Sequence, residues 1–327
     1  MTDFAGRIAV VTGGGTGMGR ALVRRLVSEG CHVAACDVIE ENLNETAKIT
    51  VEEAPQGIRF TTHICDVANE DDVQRFATEV ARDQKTKHIN LLFNNAGVGG
   101  GGSLVNAERG EWERAFNINW NGVYLCTRTF LPLLLSSDEG HIINTSSVNG
   151  FRASLGGNIP HTAYSAAKFA VRGFTEALIN DFRFNAPHLK ATVVMPGGVG
   201  TDIARNTSRL VGEGDPATWS NEVIDEMRDQ WQQRPLEHLQ ALNINPALID
   251  MTNDEVRAYM AEREDAYRNI GITPDAAADI ILSGVRKNYW RILVGKDAEA
   301  LDRAVRKHPH QTYDLDFNKF VQAEWQD

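Results

Sequence analysis

Two positions four residues apart could exchange a proton with a small molecule. Tyr164 and Lys168 stand in the run Tyr-Ser-Ala-Ala-Lys, and on a helix that spacing places phenol and ammonium on one face. A phenol titrates at about 10 and is a poor base at neutral pH, but a nearby ammonium favours the phenolate. Tyr164 is then suited to take a proton from an alcohol or give one to a carbonyl. Ser146-Ser147 closes an apolar run just upstream, and a hydroxyl there can hydrogen-bond the reacting oxygen. A Tyr and a Lys at this spacing occur by chance on many helices, so the pair gains weight only from its surroundings.

The surroundings include a glycine loop, Thr12-Gly13-Gly14-Gly15-Thr16-Gly17-Met18-Gly19, between a strand pattern and a helix pattern. A pyrophosphate needs close backbone approach and free N–H groups at a helix start, and glycines permit both. The spacing is GxxxGxG, not the better-known GxGxxG. Asp37 ends the next strand pattern, eighteen residues after Gly19 (37 − 19), where an acid can accept hydrogen bonds from the adenosine ribose. Its carboxylate repels a 2′-phosphate. Gly14, Gly15 and Thr16 bring no cation, nor do Val38 and Ile39 after the acid. Both features favour NAD over NADP.

Elements that position these groups are legible as alternating patterns. Apolar runs at Arg7–Thr12, Cys31–Asp37, Ile58–Cys65, Ile89–Asn94, His141–Ser146, Ala191–Met195 and Arg291–Val294 read as strands. Helical spacing covers Gly17–Glu29, Glu40–Glu53, Asn69–Asp83, a long helix within Glu108–Leu135, Ala163–Phe184 and Pro274–Lys287. Strand–helix alternation with continuous apolar strands predicts an α/β fold: a doubly wound, Rossmann-like parallel sheet of about seven strands. Asn94-Asn95-Ala96-Gly97 and Pro196-Gly197-Gly198-Val199-Gly200-Thr201 both follow strands, at the carboxyl edge where such sheets bind ligands.

Between Thr201 and Thr273 the alternation stops. Residues 202–272 read as a helical cap over one catalytic domain spanning 1–327, and 296–327 as a C-terminal extension rich in His, Asp and Phe. Trp219, Met227, Trp231, Leu236, Leu239, Leu242, Tyr259 and Met260 recur at helical intervals in the cap. Most are expected in its own core, and a minority on an apolar substrate pocket.

Composition narrows the function. With 33 Lys+Arg against 44 Asp+Glu, the 327 residues carry a net charge of −11, which disfavours nucleic-acid binding and long-range steering of anions. Hydrophobic residues at 42% and charged residues at 24% are ordinary for a soluble globular chain. Cys31, Cys36, Cys65 and Cys126 form no CxxC pair, so no disulfide framework or zinc site is expected. No run reaches the ~18 apolar residues of a membrane span. The start is not a signal peptide, and a cytoplasmic location is expected. His308 and His310 resemble ligand spacing, but no partner cluster accompanies them and no metal is expected. His161 beside Pro160 reads first as a turn residue, although it could reach the substrate.

Taken together the motifs resemble the short-chain dehydrogenase/reductase family: TGxxxGxG at Thr12–Gly19, NNAG at Asn94–Gly97, Asn119 in Asn-Trp-Asn-Gly, the Ser147/Tyr164/Lys168 set, and the segment Pro196–Thr201. The resemblance covers about residues 5–202 and 273–295 and points to the single-domain branch. It implies that Tyr164 is the acid/base and that Ser147 steadies the substrate oxygen. Lys168 would hold the nicotinamide ribose and lower the tyrosine pKa, and Asn119 would serve a water-linked proton relay. Asp66 and Val67 would contact adenine. Asn95, Ala96 and Gly97 would line the cofactor, and Val199 and Thr201 would touch its carboxamide end, beside Pro196 and Gly197. Gly13, Thr16, Gly17, Met18, Gly19, Asp37 and Val38 complete the expected cofactor contacts. Asn90 departs from a frequent Asp, a supporting position. Ser154–His161 is longer than usual and Gly99–Gly102 is loose, both beside the substrate.

The sequence therefore predicts an NAD-dependent dehydrogenase or ketone reductase acting on a secondary alcohol or ketone, with a bulky apolar substrate such as a steroid, terpenoid or aryl compound. The resemblance implies a homodimer or homotetramer through the helices containing Asn119 and Tyr164. A lyase-type reaction on the same site and a non-catalytic NAD-sensing binder are the alternatives.

Overall fold

An apolar run with no polar face must be covered from both sides, and helices do so here. The computed structural model describes residues 3–100, 102–105, 108–154, 160–210, 214–236, 239 and 244–325. Seven parallel strands pair in the order β3-β2-β1-β4-β5-β6-β7: β1 Ile8–Thr12, β2 His32–Asp37, β3 Phe60–Ile64, β4 Leu91–Asn94, β5 Gly140–Thr145, β6 Leu189–Pro196 and β7 Arg291–Val294. β1, β4 and β5 are buried along their whole lengths.

Helix α1 (Gly17–Ser28) shares one core layer with Pro274–Arg286, through Leu22, Leu26, Ile281 and Leu282. On the other face α3 (Glu70–Asp83), α5 (Gly122–Leu135) and α6 (Thr162–Asn185) pack Phe76, Phe130 and Phe182 against the sheet. The strand order reverses between β1 and β4, which opens a crevice at their carboxyl ends. Helix α2 spans Glu40–Glu53, and α3 is capped by Asn69, whose side chain accepts from the Asp72 N–H.

Three expectations need correction. The third strand is shorter than Ile58–Cys65, because it is the half-buried edge of the sheet. The long helix within Glu108–Leu135 is not continuous: α4 (Arg109–Phe116) passes through a π-helical turn, Asn117–Asn121, before α5. The extra residue per turn reorients the chain at Asn119, a common device at functional sites. Strand-like pairing also closes the base of the 202–272 segment, where Val199 bridges Ile272 in parallel.

That segment contains α7 (Ile203–Leu210), α8 (Asn221–Gln232) and α9 (Asn253–Arg268) among the described residues. Trp219, Ile224, Trp231, Leu239, Leu248 and Val256 form its separate core, with Met227, Tyr259 and Met260 against it. Leu236 is exposed, and Leu242 lies outside the described residues. After α10 (Pro274–Arg286) and β7, the chain ends in α11 (Lys296–Lys307) and α12 (Asn318–Trp325). Ala298 of α11 packs with Val148, Phe151, Val193 and Met195. A bidentate pair, Arg291 with Asp302 at 2.5 and 3.0 Å, fastens α11 to β7.

Buried polar groups join the layers. Asn94 donates to the Asn144 side-chain oxygen (2.8 Å) and to Thr127 (2.9 Å), and Asn144 donates to Thr175 on α6 (2.9 Å). Asn90 keeps a supporting contact: its side-chain oxygen accepts from the Ile8 N–H, and its amide donates to Asp138 and to the Glu139 carbonyl.

His141 on β5 is fully enclosed, with Nε2 2.7 Å from the Thr192 hydroxyl oxygen. Burial lowers its pKa to about 3 from 6.5. Between these values the unfolded chain binds the proton and the folded chain does not, so stability falls as pH drops below 6.5. The slope from this residue is at most ~1.4 kcal/mol per pH unit. His141→Gln should flatten that acid limb in urea unfolding; an unchanged slope would assign the loss to other groups.

Candidate active site

The glycine loop turns from β1 into α1 with its backbone pressed against two neighbours. Gly17 has a positive φ of 53°, a region that L side chains rarely adopt. A Cβ on Gly19 would overlap the Gly13 carbonyl oxygen. The Asn95 side chain binds the Thr12 carbonyl at 3.1 Å, and the Thr12 hydroxyl accepts from the Asn95 and Ala96 N–H groups at 3.0 Å each. The ends of β1 and β4 are thereby locked together beside the loop.

A cavity of about 430 Å³ opens there. Gly13, Thr16, Gly17, Met18 and Gly19 form its floor. Asp37 and Val38 stand at one end, with Asp66 and Val67 beside them. Asn95, Ala96, Gly97 and Thr201 continue the wall. Asp37 accepts from the Gly15 N–H (3.0 Å) and the Ile39 N–H (3.1 Å). Burial nevertheless pushes its carboxyl above the usual range, against those bonds. Arg20, the nearest base to the loop, is held by the Gly15 carbonyl, Thr46 and Glu45.

A second cavity of about 680 Å³ shares Met18, Asn95, Gly97 and Thr201 with the first, so the two form one cleft. Asn119, Ser147, Tyr164 and Lys168 line it, with Pro196, Gly197 and Val199 opposite. Every expected site residue thus borders this cleft. The two serines divide their tasks. Ser146 is enclosed and donates to the Lys168 carbonyl at 2.7 Å, whereas Ser147 borders the cavity with Tyr164 and opposes the rise of its pKa. The Asn149 N–H donates to the Ser147 hydroxyl at 3.1 Å and fixes its direction.

Lys168 is buried; its Nζ donates to the Thr145 carbonyl at 3.0 Å and lies 5.4 Å from the Tyr164 ring centroid. Burial lowers its pKa to about 8. The sequence suggested net lowering of the Tyr164 pKa by Lys168; in the folded chain burial raises the phenol and only Ser147 opposes it. The Asn119 amide donates to the carbonyls of Val98 (2.9 Å) and Ala115 (2.8 Å), and its buried side-chain oxygen has no partner among the described residues. A Cβ on Gly97 would sit 2.8 Å from that oxygen, so glycine keeps it open to the cleft.

The groups fit a dinucleotide. The loop offers glycine backbone at a helix start, Asp37 a desolvated acceptor, and Asn119 an unused acceptor beside Lys168.

Several lining residues carried no signal in the sequence. Arg152, Asp297, Tyr267, Ile270, Leu301, Asn318 and Val321 border the second cavity. Arg152 follows Ser147 by five residues; the others arrive from the cap's end and from the last helices, far from any motif. Asp297 receives the Gly198 N–H at 2.5 Å and clamps the loop after β6. Asn206 on α7 donates to the Thr16 hydroxyl at 2.9 Å, and Thr207 accepts from the Gly99 N–H at 3.0 Å. His161 borders the cavity and is more than a turn residue. Among the described residues, the large cap residues singled out by spacing do not line it; Ile203, Ala204 and Thr207 at the cap's start do. Much of the long 154–161 stretch lies outside the described residues. His308 stacks on Phe320 with centroids 3.9 Å apart. Among the described residues no helix is long and apolar enough to cross a membrane.

The short-chain dehydrogenase family profile matches residues 7–210, and the chain belongs to that family. SadH of Mycobacterium tuberculosis, which carries an oxidoreductase designation, is 32% identical over 306 residues, 94% of this chain and 92% of that protein. Meso-2,3-butanediol dehydrogenase of Serratia marcescens is 33% identical over 69% of this chain and 80% of its own length. A short-chain dehydrogenase/reductase from Burkholderia phymatum, solved with NAD, aligns over 96% of this chain and 98% of its own at 25% identity and a TM-score of 0.70. A metagenomic short-chain oxidoreductase solved with NADP aligns over 59% of this chain and 83% of its own at 32% identity and a TM-score of 0.53. The protein is an oxidoreductase of this family with a Rossmann-like nucleotide-binding fold.

If the Gly19–Gly13 contact shapes the cleft, Gly19→Ala should lose NADH affinity by more than tenfold, read from nicotinamide fluorescence. Wild-type affinity in a folded variant would remove the loop from the binding site.

Proposed function

We propose that the protein is an NAD-dependent dehydrogenase or reductase interconverting a secondary alcohol and its ketone. The observation that carries this reading is the position of Ser147, Tyr164 and Lys168 where the glycine-loop cleft opens into a larger cavity. Asp37 and Val38 would hold the adenosine ribose, Asp66 and Val67 the adenine, and Val199 and Thr201 the carboxamide end. When bound, an oxidised nicotinamide accepts the hydride and brings positive charge beside the phenol. Ser147 holds the substrate oxygen, and Tyr164 takes its proton during oxidation or returns one during reduction. Lys168 holds the nicotinamide ribose, and Asn119 offers its free oxygen to a proton relay.

NAD is preferred on this reading because the Asp37 carboxylate borders the cavity and Arg20 beside the loop is engaged by the Gly15 carbonyl, Thr46 and Glu45. Val148, Tyr267, Ile270, Leu301 and Val321 suit a bulky substrate with an apolar body. Residues 1–327 would act as one catalytic domain, with 202–272 as substrate cap and 296–327 as an extension that also walls the cavity. Exposed Tyr124 on α5 and Phe169 on α6 suit pairing of subunits through those helices. A cytoplasmic location accords with four buried, unpaired cysteines.

Incubation with NAD and a panel of secondary alcohols, followed at the NADH absorbance, tests the activity; no turnover of any alcohol or ketone would favour a binder or another reaction. Tyr164→Phe should abolish turnover with NAD affinity retained, and Ser147→Ala should lower kcat about 10²–10³-fold. Near-normal rates in Tyr164→Phe would sink the mechanism. The double variant Asp37→Ala/Val38→Arg should shift preference toward NADP, since repulsion is removed and a phosphate partner supplied. A wild-type preference for NADP would overturn the reading of Asp37.

A further inference from the structure

Arg152 is a buried cation that no acid pairs with among the described residues. It follows the turn Val148–Gly150, five residues beyond Ser147, and is only 5% exposed. Its Nε donates to the Thr312 carbonyl at 3.1 Å and its Nη1 to the Ser154 carbonyl at 3.3 Å. The guanidinium carbon stands 4.7 Å from the centroid of Phe317, itself fully enclosed. Among the described residues no carboxylate pairs with it, and Nη2 has no hydrogen-bond partner. Arg291, similarly desolvated, is matched by both oxygens of Asp302. Arg228 in the cap is paired with Asp225.

Arg152 borders the same cavity as Ser147 and Tyr164. Burial lowers its pKa, the mark of a charge that its surroundings do not fully compensate. Besides the Tyr267 phenol, two other titratable groups outside the catalytic set border this cavity. The Asp297 carboxylate is engaged by the Gly198 N–H, and burial lowers the His161 pKa, which favours its neutral ring. Neither neutralises Arg152. An unpaired buried cation is costly, and a carboxylate presented to its planar fork removes much of that cost through charge-assisted bonds.

We propose that Arg152 recognises a carboxylate on the substrate, so that the preferred substrates are hydroxy or oxo acids with an apolar middle. The carbinol end of this assignment rests on the proposed dehydrogenase reading; the acid end rests on Arg152 alone. Recognition would act by desolvated contact, since the net charge of −11 gives anions no long-range attraction.

The test uses the wild-type full-length protein, with and without NADH, titrated by calorimetry. Probes are levulinate, 5-oxohexanoate, 6-oxoheptanoate and 4-oxocyclohexanecarboxylate, each beside its methyl ester. At least one acid should bind about tenfold or more tightly than its ester, the scale of one charged hydrogen-bonded contact. Arg152→Gln should abolish that preference and leave ester affinity and NADH affinity unchanged; Arg152→Lys should retain part of it. Equal binding of acid and ester throughout the series, or a preference that persists in Arg152→Gln, would overturn the proposal. If Arg152→Gln does not fold, the wild-type comparison and Arg152→Lys still decide. NADH oxidation with the same compounds separates the two readings. Turnover of esters without acid preference overturns only the role of Arg152. Acid-selective binding without turnover of any probe overturns only the dehydrogenase reading.

Discussion

The seam between the end of β5 and helix α6 sets the geometry on which the site depends. Four side chains cross it in both directions. Ser146 donates to the Lys168 carbonyl, Lys168 to the Thr145 carbonyl, Asn149 to the Ser165 hydroxyl and Asn144 to the Thr175 hydroxyl. All are buried, and each bond would be costly to leave unmade. Strand and helix are held in one register over three turns. That register brings the Ser147 hydroxyl to the Tyr164 phenol, although the two residues are seventeen apart in sequence (164 − 147).

The same desolvation that strengthens the seam tunes its ionisable groups in opposing directions. Burial raises Tyr164 and Asp37 and lowers Lys168, His161 and Arg152. In each case the charged form is the one made costly. A ligand that supplies opposite charge or donors at these points recovers that cost on binding. The chain carries a net charge of −11, while Lys168 and Arg152 in the cleft are enclosed; attraction at these two groups is therefore short-ranged and specific to contact.

The segments around the cavity differ in how they hold it. The cap has its own core of Trp219, Trp231 and Leu248, and meets the cofactor cleft through Asn206 and Thr207 at its first helix. The last two helices are bound more deeply. Ala298 packs into the cluster around Val148 and Met195, Asp302 pairs with Arg291, and the Thr312 carbonyl and Phe317 ring hold Arg152. The C-terminal stretch is thus a wall of the cavity, and its Asp297 also braces the loop after β6.

By itself the sequence determined the sheet, the glycine loop and the candidate site residues. Strand runs such as Ile8–Thr12 and helices such as Glu40–Glu53 follow from local periodicity, and the loop's glycines and the Tyr164–Lys168 spacing are local too. The tertiary structure decided what depends on contacts between distant segments. Periodicity marks an apolar face but not its partner, so the cap's aromatic residues could not be assigned between core and cavity until their packing was seen. Local sequence gives no sign that the helix after Glu108 changes pitch at Asn117, or that edge exposure shortens the third strand. Nor could spacing reveal Arg152: its neighbours Thr312 and Phe317 are some 160 residues away (312 − 152), and the absence of an acid beside it is a property of the packed chain.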